Sequence, residues 1–348
     1  MNKNYEKEND NLVMSFSEMV NEFKERPKPQ FLWNGIKRNS FGLVFGPSKS
    51  GKTIFCENLA ISIAVGMKSF MGYELNGIPE KILFIGLEEF WESRVERNMN
   101  QHNHLDESLK KLMDSNFKYQ SINFNQRIIS QNDWNDIKNC IVASGATTVF
   151  IDSITRMNPG QLESSKDAEF LMQKLRGITY ELGISMVCIH HTPKMYDSAI
   201  TMDKIKGSSV FAQESDFAIG INRTSKNFRY FKNVFFRYKS DDFENVHEFQ
   251  IDNNLWLEYL GDAEEDEIIL RSDRRRKSDK RETIINYFDS KPDKTYTTAE
   301  LIEYLTPVLS VKERMLKDYL SELEKNNKIL SPEHGRYTSI VNTNYTYQ

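Results

Sequence analysis

Eight consecutive residues fill every position of the phosphate-binding pattern G-x-x-x-x-G-K-[ST]. They are Gly46, Pro47, Ser48, Lys49, Ser50, Gly51, Lys52 and Thr53. In such a loop the backbone N–H groups point inward and, together with the positive end of the next helix, surround the phosphates of a nucleotide. Lys52 would reach the β- and γ-phosphates, and the hydroxyl of Thr53 would bind Mg²⁺. The pattern therefore predicts a site for ATP and Mg²⁺.

The segments on either side of the octapeptide supply the structural context that this chemistry requires. Residues 40–45 form a short apolar run typical of a buried strand, and residues 54–63 have helical length and are followed by Gly66. A chance glycine-containing turn would need neither element. We therefore interpret the octapeptide as the loop of a strand–loop–helix unit.

Hydrolysis of ATP also needs a carboxylate near Mg²⁺, a group that orients the attacking water, and a cation that offsets charge in the transition state. Asp152 ends the apolar run at 147–152 and is the predicted metal partner. Glu88, at the end of a second run at 81–89, is the predicted water-orienting group, with Glu89 as its nearest competitor. The alternatives are an aspartate that only begins a turn and glutamates that only stabilise the start of a helix.

These elements together resemble the RecA-fold ATPases of the plasmid RepA type, which are relatives of DnaB-like ring helicases. The resemblance covers roughly residues 31–260, and it includes Leu-Glu-Glu at 87–89, Met-Val-Cys-Ile-His-His at 186–191 and Lys-Gly-Ser-Ser at 206–209. In that family the histidine after the sensor strand lies near the γ-phosphate, and here it corresponds to His190, with His191 beside it. A neutral imidazole at the end of a strand could bond the γ-phosphate and report its loss, and a purely structural histidine is the alternative.

The resemblance also implies a ring in which basic residues of the neighbouring subunit complete each site. Residues 233–241 resemble the strand that carries two such cations, and Arg237 and Lys239 would share one of its faces. Their order is the reverse of the usual DnaB-like pattern, so the role of each stays open. Arg223 is the alternative candidate, and solvated charge on an edge strand is the structural alternative for all three.

If a ring forms, the loops after the Asp152 strand and the histidine strand would face its central channel. They carry the cations Arg156, Lys194, Lys204 and Lys206. These residues would suit phosphate contacts to single-stranded DNA without recognition of the bases, because the loops hold few aromatic side chains for stacking. Solvated loops without a ligand are the alternative.

The composition is that of an ordinary soluble protein. The chain has 348 residues, 39% of them hydrophobic and 28% charged, which suggests about two domains with a full core. It contains no apolar run of the roughly 18 residues that a membrane helix needs and no secretory signal, so we expect a cytoplasmic protein without a membrane partner. Cys56, Cys140 and Cys188 lack metal-ligand spacing and are expected to be free thiols. The net charge of −4 indicates no global attraction to nucleic acid.

Changes in composition along the chain predict five segments. They are an N-terminal arm at 1–30, a RecA-like ATPase domain at 31–260, a charged linker at 261–280, a winged-helix-like domain at 281–340 and a tail at 341–348. In the ATPase domain, predicted strands at 81–86, 147–151 and 184–189 alternate with helical stretches such as 165–182, which implies an α/β fold with a largely parallel sheet. The linker would act either as a solvated hinge or as a nucleic-acid contact.

The C-terminal segment combines predicted helices with a hairpin and resembles a small winged-helix domain. Residues 297–300 and 310–313 both have the form of a capping box. On the helix that starts near Val311, apolar residues share one face, which leaves Arg314 and Lys317 directed outward toward a DNA backbone. Winged helices also bind proteins, so the fold alone does not decide the partner.

The combined interpretation is an oligomeric, Mg²⁺-dependent ATPase that acts on DNA, with a hexameric ring as the favoured assembly. Single-stranded DNA would pass through the ring channel, and duplex DNA would contact the winged helix. The first hypothesis is a replicative helicase or helicase-like motor of a plasmid, phage or other mobile element. The second is a DNA-binding regulator or assembly factor that ATP switches without unwinding, and the third is a recombinase-like filament. Motor and switch need the same site, so the sequence does not separate them.

Overall fold

The computed structural model describes residues 13–25, 30–157, 165–205, 209–239, 245–309 and 311–340. Contacts within the chain divide it into two compact units, Met1–Glu265 and Asp266–Gln348. None of the helices in the described ranges has both the length and the apolar composition that crossing a lipid bilayer requires.

The first unit is built from alternating strands and helices. Its strands are β1 (Phe31–Trp33), β2 (Ile36–Lys37), β3 (Phe41–Pro47), β4 (Ser69–Phe70), β5 (Tyr73–Glu74), β6 (Ile82–Gly86), β7 (Phe117–Tyr119), β8 (Thr148–Asp152), β9 (Ser185–Thr192), β10 (Phe217–Arg223), β11 (Arg229–Phe236), β12 (Asn245–Ile251) and β13 (Leu257–Glu264). Its helices are α1 (Phe16–Glu25), α2 (Lys52–Ala64), α3 (Trp91–Asn103), α4 (Glu107–Asn116), α5 (Gln131–Ser144), α6 (Ser165–Leu182) and α7 (Ser209–Glu214), with short 3₁₀ turns at Ile154–Arg156 and Met202–Lys204.

A nine-stranded sheet forms the centre of this unit. Its strand order is β13-β12-β11-β10-β3-β9-β8-β6-β7. The strands from β10 to β7 run parallel, and β11, β12 and β13 extend the sheet in antiparallel fashion. The expected α/β fold with a largely parallel sheet is therefore confirmed.

The apolar strand sequences explain why the middle of the sheet is buried on both faces. Every residue of β3, β6 and β8 is buried, as is typical of parallel strands covered by helices on both sides. The predicted strands at 81–86, 147–151 and 184–189 correspond to β6, β8 and β9, and the predicted helix at 165–182 is α6. Cys56, Cys140 and Cys188 are free thiols, as predicted.

The strand order brings the residues predicted around the phosphates and the metal to one edge of the sheet. Strand β3 lies between β9 and β10, and β8 follows on the far side of β9. Because the strands from β10 to β7 run parallel, the segments that follow β3, β6, β8 and β9 all emerge at their common carboxyl edge, where open α/β sheets bind ligands.

The second unit is a small helical module with a three-stranded sheet. Helix α8 (Glu265–Asp289) is followed by β14 (Tyr296–Thr297), α9 (Thr298–Leu309), α10 (Glu313–Lys325), β15 (Ile329–Glu333) and β16 (Arg336–Ser339). The strands pair in the order β14-β16-β15, and the predicted hairpin is present as the antiparallel pair β15 and β16. Its core includes Leu301, Leu305, Leu316 and Leu320.

Two local predictions in the C-terminal part need correction. The stretch at 261–280 was predicted as a linker, but β13 continues to Glu264 and α8 begins at Glu265. Arginine, lysine and glutamate are good helix formers, so a dense run of charges is compatible with a helix. The two compact units meet within this stretch, between Glu265 and Asp266.

The two predicted capping boxes differ in outcome. At the start of α9, the Thr297 hydroxyl accepts from the Glu300 N–H, and the Glu300 carboxylate accepts from the Thr297 N–H at 2.7 Å, so this box is confirmed. Helix α10 begins at Glu313, with Lys312 as its N-cap and no side-chain cap, so the second box does not start this helix. Ser310 lies outside the described residues.

Candidate active site

The phosphate-binding loop connects β3 to α2, as predicted. Gly51 adopts φ +109°, a conformation that side chains with a Cβ rarely tolerate, and it forms the N-cap of α2. A Cβ on Gly46 would lie 2.0 Å from the carbonyl oxygen of Ile221, so only glycine fits there. Both glycines of the pattern are thus required by the backbone path, and the start of α2 faces the loop.

Lys52 lies inside the loop rather than in solvent. Its side chain is almost fully buried, and Nζ donates a hydrogen bond of 2.8 Å to the carbonyl oxygen of Pro47. Burial lowers the pKa of the Lys52 ammonium to about 8, although the charges of Asp152 and Glu88 oppose this shift. The negative charge of a bound phosphate would therefore raise the pKa of Lys52 back toward its ordinary value.

Thr53 and Asp152 connect the loop to the end of β8. The Thr53 hydroxyl donates a hydrogen bond of 2.7 Å to Asp152 Oδ2. Asp152 is only 5% exposed, and its burial raises the pKa of the carboxyl. Among the described residues, Asp152 Oδ1 is buried and has no hydrogen-bond partner. An unsatisfied buried carboxylate oxygen beside a hydroxyl suits Mg²⁺, which prefers oxygen ligands.

Glu88 lies next to Asp152. Its carboxylate accepts hydrogen bonds from the hydroxyls of Ser153 and Thr155, and Nε2 of His191 lies 2.9 Å from its Oε2. Burial alone would raise the pKa of Glu88, but these hydrogen bonds outweigh it and lower the pKa to about 2. The carboxylate is therefore ionised at neutral pH and able to accept a hydrogen bond from water.

Glu88, Asp152 and His191 form one cluster. They can each offer a metal-ligand atom, and these atoms lie within 4.8 Å of one another. The competitor Glu89 is directed elsewhere, because Arg97 donates it two hydrogen bonds of 2.6 and 2.7 Å. The geometry thus favours Glu88 over Glu89 as the residue beside the metal position.

The two adjacent histidines occupy different environments. Successive side chains of a strand point to opposite faces, so only one of the pair can reach Glu88. His191 does so. His190 is 2% exposed and stacks on Phe211 of α7, with the ring centres 4.7 Å apart.

Arg94 is a buried cation that the sequence analysis did not single out. A Cβ on Gly86 would lie 1.4 Å from Arg94 Nη2, so the glycine makes room for the guanidinium. The Arg94 side chain also lies over the ring of Phe84, at 5.4 Å. Gly86 pairs with Asp152 in the sheet, so the buried charge adds positive potential beside that carboxylate. Arg94 and Arg97 are three residues apart and therefore lie on one helix face. This spacing is the feature of the sequence that indicates a pair of cations there.

Arg237 and Lys239 lie after β11 rather than in a strand, which corrects the predicted strand at 233–241. The Arg237 N–H still bonds to the Asp216 carbonyl at 2.8 Å, one position beyond the last β10–β11 pair, Phe217 and Phe236. The Arg237 side chain pairs with the buried Asp216 carboxylate at 3.2 Å, and Lys239 Nζ donates to Asn34 at 3.1 Å.

These two cations lie far from the loop of their own chain. The end of β11 pairs with Phe217, which pairs in turn with Gly42 near the start of β3, whereas the phosphate-binding loop follows the end of β3. Arg223, the alternative candidate, lies at the end of β10 and donates to Asn227 at 2.6 Å. It lines a cavity of about 230 Å³ together with Lys49 of the loop.

The predicted nucleic-acid contacts are accessible where the structure describes them. Arg156 and Lys194 are exposed and Lys204 is half-buried, whereas Lys206 lies outside the described residues. Lys194 lines the same cavity as Arg223. In the second unit Arg314 is exposed, and Lys317 is exposed and bonded to Glu313 at 2.6 Å.

Comparison with known proteins agrees with this geometry. A family model described as an AAA domain matches residues 9–197, which is more than half of the chain. No curated protein matches the chain. The matched region contains the phosphate-binding loop, Glu88, Asp152 and the histidine pair. The chain belongs to the AAA domain family of P-loop ATPases.

Proposed function

We propose that this protein is a Mg²⁺-dependent ATP hydrolase that acts on DNA. The observation that carries the hydrolase assignment is the hydrogen bond of 2.7 Å between Thr53 and Asp152, with the ionised Glu88 carboxylate beside it. A loop that matched the pattern by chance would not be expected to contact a buried aspartate, with one unsatisfied oxygen, through its threonine.

Each residue of the site has a definable role in hydrolysis. Thr53 and Asp152 would hold Mg²⁺, which neutralises phosphate charge when bound. Lys52 contacts the β- and γ-phosphates. Glu88 accepts a hydrogen bond from the attacking water and orients it, since the carboxylate is ionised. His191 holds Glu88 in place through their hydrogen bond, and contact with the γ-phosphate stays a prediction for the histidine pair.

Action on DNA is supported by the position of the exposed cations. Arg156 and Lys194 follow β8 and β9, at the same edge of the sheet as the phosphate-binding loop. In a hexameric ring of the DnaB-like type, this edge would present them to a single strand in the channel, where phosphate contacts dominate affinity. The proposed function is therefore that of an ATP-driven DNA motor, similar to the plasmid RepA type and to the replicative helicases of mobile elements.

The second unit supports a DNA contact of its own. Its order of helix, strand, helix, helix, strand and strand is compatible with a winged-helix domain, in which α10 would be the recognition helix. Leu316, Leu320 and Leu323 face the core, which leaves Arg314 and Lys317 on the outer side of α10. This module also favours the second candidate function, an ATP-switched DNA-binding regulator that does not unwind.

Strand displacement measured beside DNA-stimulated ATP turnover distinguishes the two candidates. On a forked duplex, a motor separates the strands only with hydrolysable ATP, and Lys52→Ala abolishes separation. ATP-dependent binding of the same duplex without separation would select the switch. Turnover unaffected by any DNA would contradict both.

A further inference from the structure

Arg97 joins the helix of the phosphate-binding loop to the segment that carries Glu88. It donates two hydrogen bonds of 2.7 Å to the carboxylate of Glu57 and two of 2.6 and 2.7 Å to that of Glu89. Glu57 lies on α2, one turn after Thr53, and Glu89 directly follows Glu88. One guanidinium thus holds both sides of the candidate active site.

The network is largely removed from solvent. The Glu57 side chain is fully buried, and those of Arg97 and Glu89 are 15% and 27% exposed. Burial raises the pKa of Glu57, although the bond from Arg97 opposes the shift. Buried ion pairs contribute little net stability, because desolvation offsets their attraction, but bidentate pairs fix geometry. The network therefore fixes the positions of the side chains and segments that it joins, and it contributes little to the free energy of unfolding.

A second cation, Arg94, lies three residues earlier on the same helix. Burial raises the pKa of Glu57, and the charge of Arg94 opposes this shift and acts in the same direction on Glu89. The two carboxylates therefore face positive charge from Arg94 as well as from Arg97.

Glu88 receives its own hydrogen bonds from the opposite direction. Its carboxylate partners Ser153, Thr155 and His191 all belong to the β8 and β9 side of the site. The backbone is attached there by the Leu87 N–H, which bonds to the Asp152 carbonyl at 2.5 Å. The connection from this segment to the loop helix α2 runs through the next residue, Glu89.

We propose that Glu89 and Arg97 are positioning residues that hold Glu88 at its working distance from the Thr53–Asp152 pair. This inference rests on the proposed ATP hydrolysis. Glu89 contacts neither nucleotide nor water in this account and acts only through Glu88. We call Arg97, Glu89 and Glu57 the clamp, and Glu57 attaches it to α2.

Glu89→Ala is the variant that tests the clamp, because it leaves the buried Arg97–Glu57 pair intact. We expect ATP turnover to fall about ten- to hundredfold, since small displacements of a reacting group cost that much. The dissociation constant for ATP should stay within about twofold, because Thr53 and Lys52 are untouched. The drop should therefore appear in kcat and not in KM. Glu96→Ala, an exposed glutamate on the same helix, is the matched control and should leave turnover unchanged.

A double-mutant cycle separates positioning from a general structural effect. Placed in the Glu88→Gln background, Glu89→Ala should lower single-turnover hydrolysis no further, because the residue through which it acts is already disabled. Arg97→Lys should reproduce the loss seen with Glu89→Ala, since an ammonium lacks the fork that bonds two carboxylates. Glu89→Gln, which keeps one acceptor, should give an intermediate rate.

The outcomes for the clamp and for the proposed function are distinct. Full turnover of Glu89→Ala, or losses that add independently to those of Glu88→Gln, would overturn the clamp while leaving the hydrolase intact. Weakened ATP binding in Glu89→Ala would also overturn it, because the effect would then lie on the loop. Wild-type protein without Mg²⁺-dependent turnover would contradict the proposed function and the clamp together.

Discussion

The hydroxyl of Thr53 lies 2.7 Å from a carboxylate oxygen of Asp152, although the two residues are 99 positions apart in the chain. Thr53 belongs to the loop that follows β3, and Asp152 ends β8, with β9 between them in the sheet. This contact joins the phosphate-binding loop and the aspartate at the end of β8, which the sequence analysis identified as two separate motifs. It also defines the place of the metal in the proposed reaction.

Glu88→Gln should separate ATP binding from ATP hydrolysis. The amide keeps the shape of the side chain but removes the negative charge that orients water, so we expect turnover to fall by about 10² or more. Binding of ATP, measured by equilibrium titration, should stay close to wild type because the loop is unchanged. Glu96→Gln is the exposed control. Full turnover, or lost binding, would remove Glu88 from the proposed role.

ATP affinity should fall as the pH rises through about 8. Burial lowers the pKa of Lys52 to about 8, so the ammonium that contacts phosphate becomes neutral above that pH. Phosphate charge favours the protonated amine, so binding takes up a proton, and affinity should drop by up to about tenfold per pH unit. The measurement is the dissociation constant of ATP at about pH 7 and pH 9.5.

Lys52→Arg supplies the control for this pH dependence. A guanidinium stays charged throughout the range, so affinity in this variant should change little with pH even if it is weaker overall. Wild-type affinity that is equal at both pH values would show that Lys52 remains charged and that its burial has no effect on binding.

Arg237→Ala should reveal whether the site is shared between subunits. If Arg237 reaches a neighbouring site in a ring, the variant binds ATP but loses on the order of 10³ in turnover. Mixing it with Lys52→Ala, which still offers an intact Arg237, should restore part of the activity. Activity that is only additive in mixtures would limit Arg237 to its observed pairing with the buried Asp216, whose loss would instead lower the melting temperature.

Arg314→Ala and Lys317→Ala should each weaken duplex DNA binding without changing basal ATP turnover. Removing one phosphate contact lowers the slope of log affinity against log salt by about one. The ion pair between Lys317 and Glu313 is exposed and costs little to break. Lys291→Ala, an exposed lysine in the same unit, is the control. Unchanged slopes for both variants would favour a protein partner for this unit.

The parts of the site that could be predicted from sequence are those encoded locally. The octapeptide fixes its own loop because its glycines adopt a backbone that few other residues allow, and Asp152 follows an apolar run long enough to define a strand. Glu88 was preferred over Glu89 from its place at the end of the apolar run, but the contact that directs Glu89 away could not be predicted. It depends on Arg97, which also bonds to Glu57 across 40 positions of the chain.

The remaining differences have similar physical origins. His190 and His191 are distinguished by which face of β9 each occupies, and the strand register that decides this is a tertiary property. The predicted strand around Arg237 was too long, because β11 ends at Phe236. The Arg237 side chain forms an ion pair with the buried Asp216 carboxylate, a contact between distant positions that the local pattern does not encode. The charged stretch at 261–280 continues β13 and forms part of α8, so a dense run of charges did not indicate the absence of regular structure.

DNA-dependent ATP hydrolysis is measured as turnover of the full chain with single-stranded DNA, in Mg²⁺ and after chelation with EDTA, for wild type and Lys52→Ala side by side. We expect turnover that DNA stimulates, that EDTA abolishes and that Lys52→Ala lowers to background. A wild-type protein without turnover, or turnover that persists in Lys52→Ala or in EDTA, would contradict this expectation.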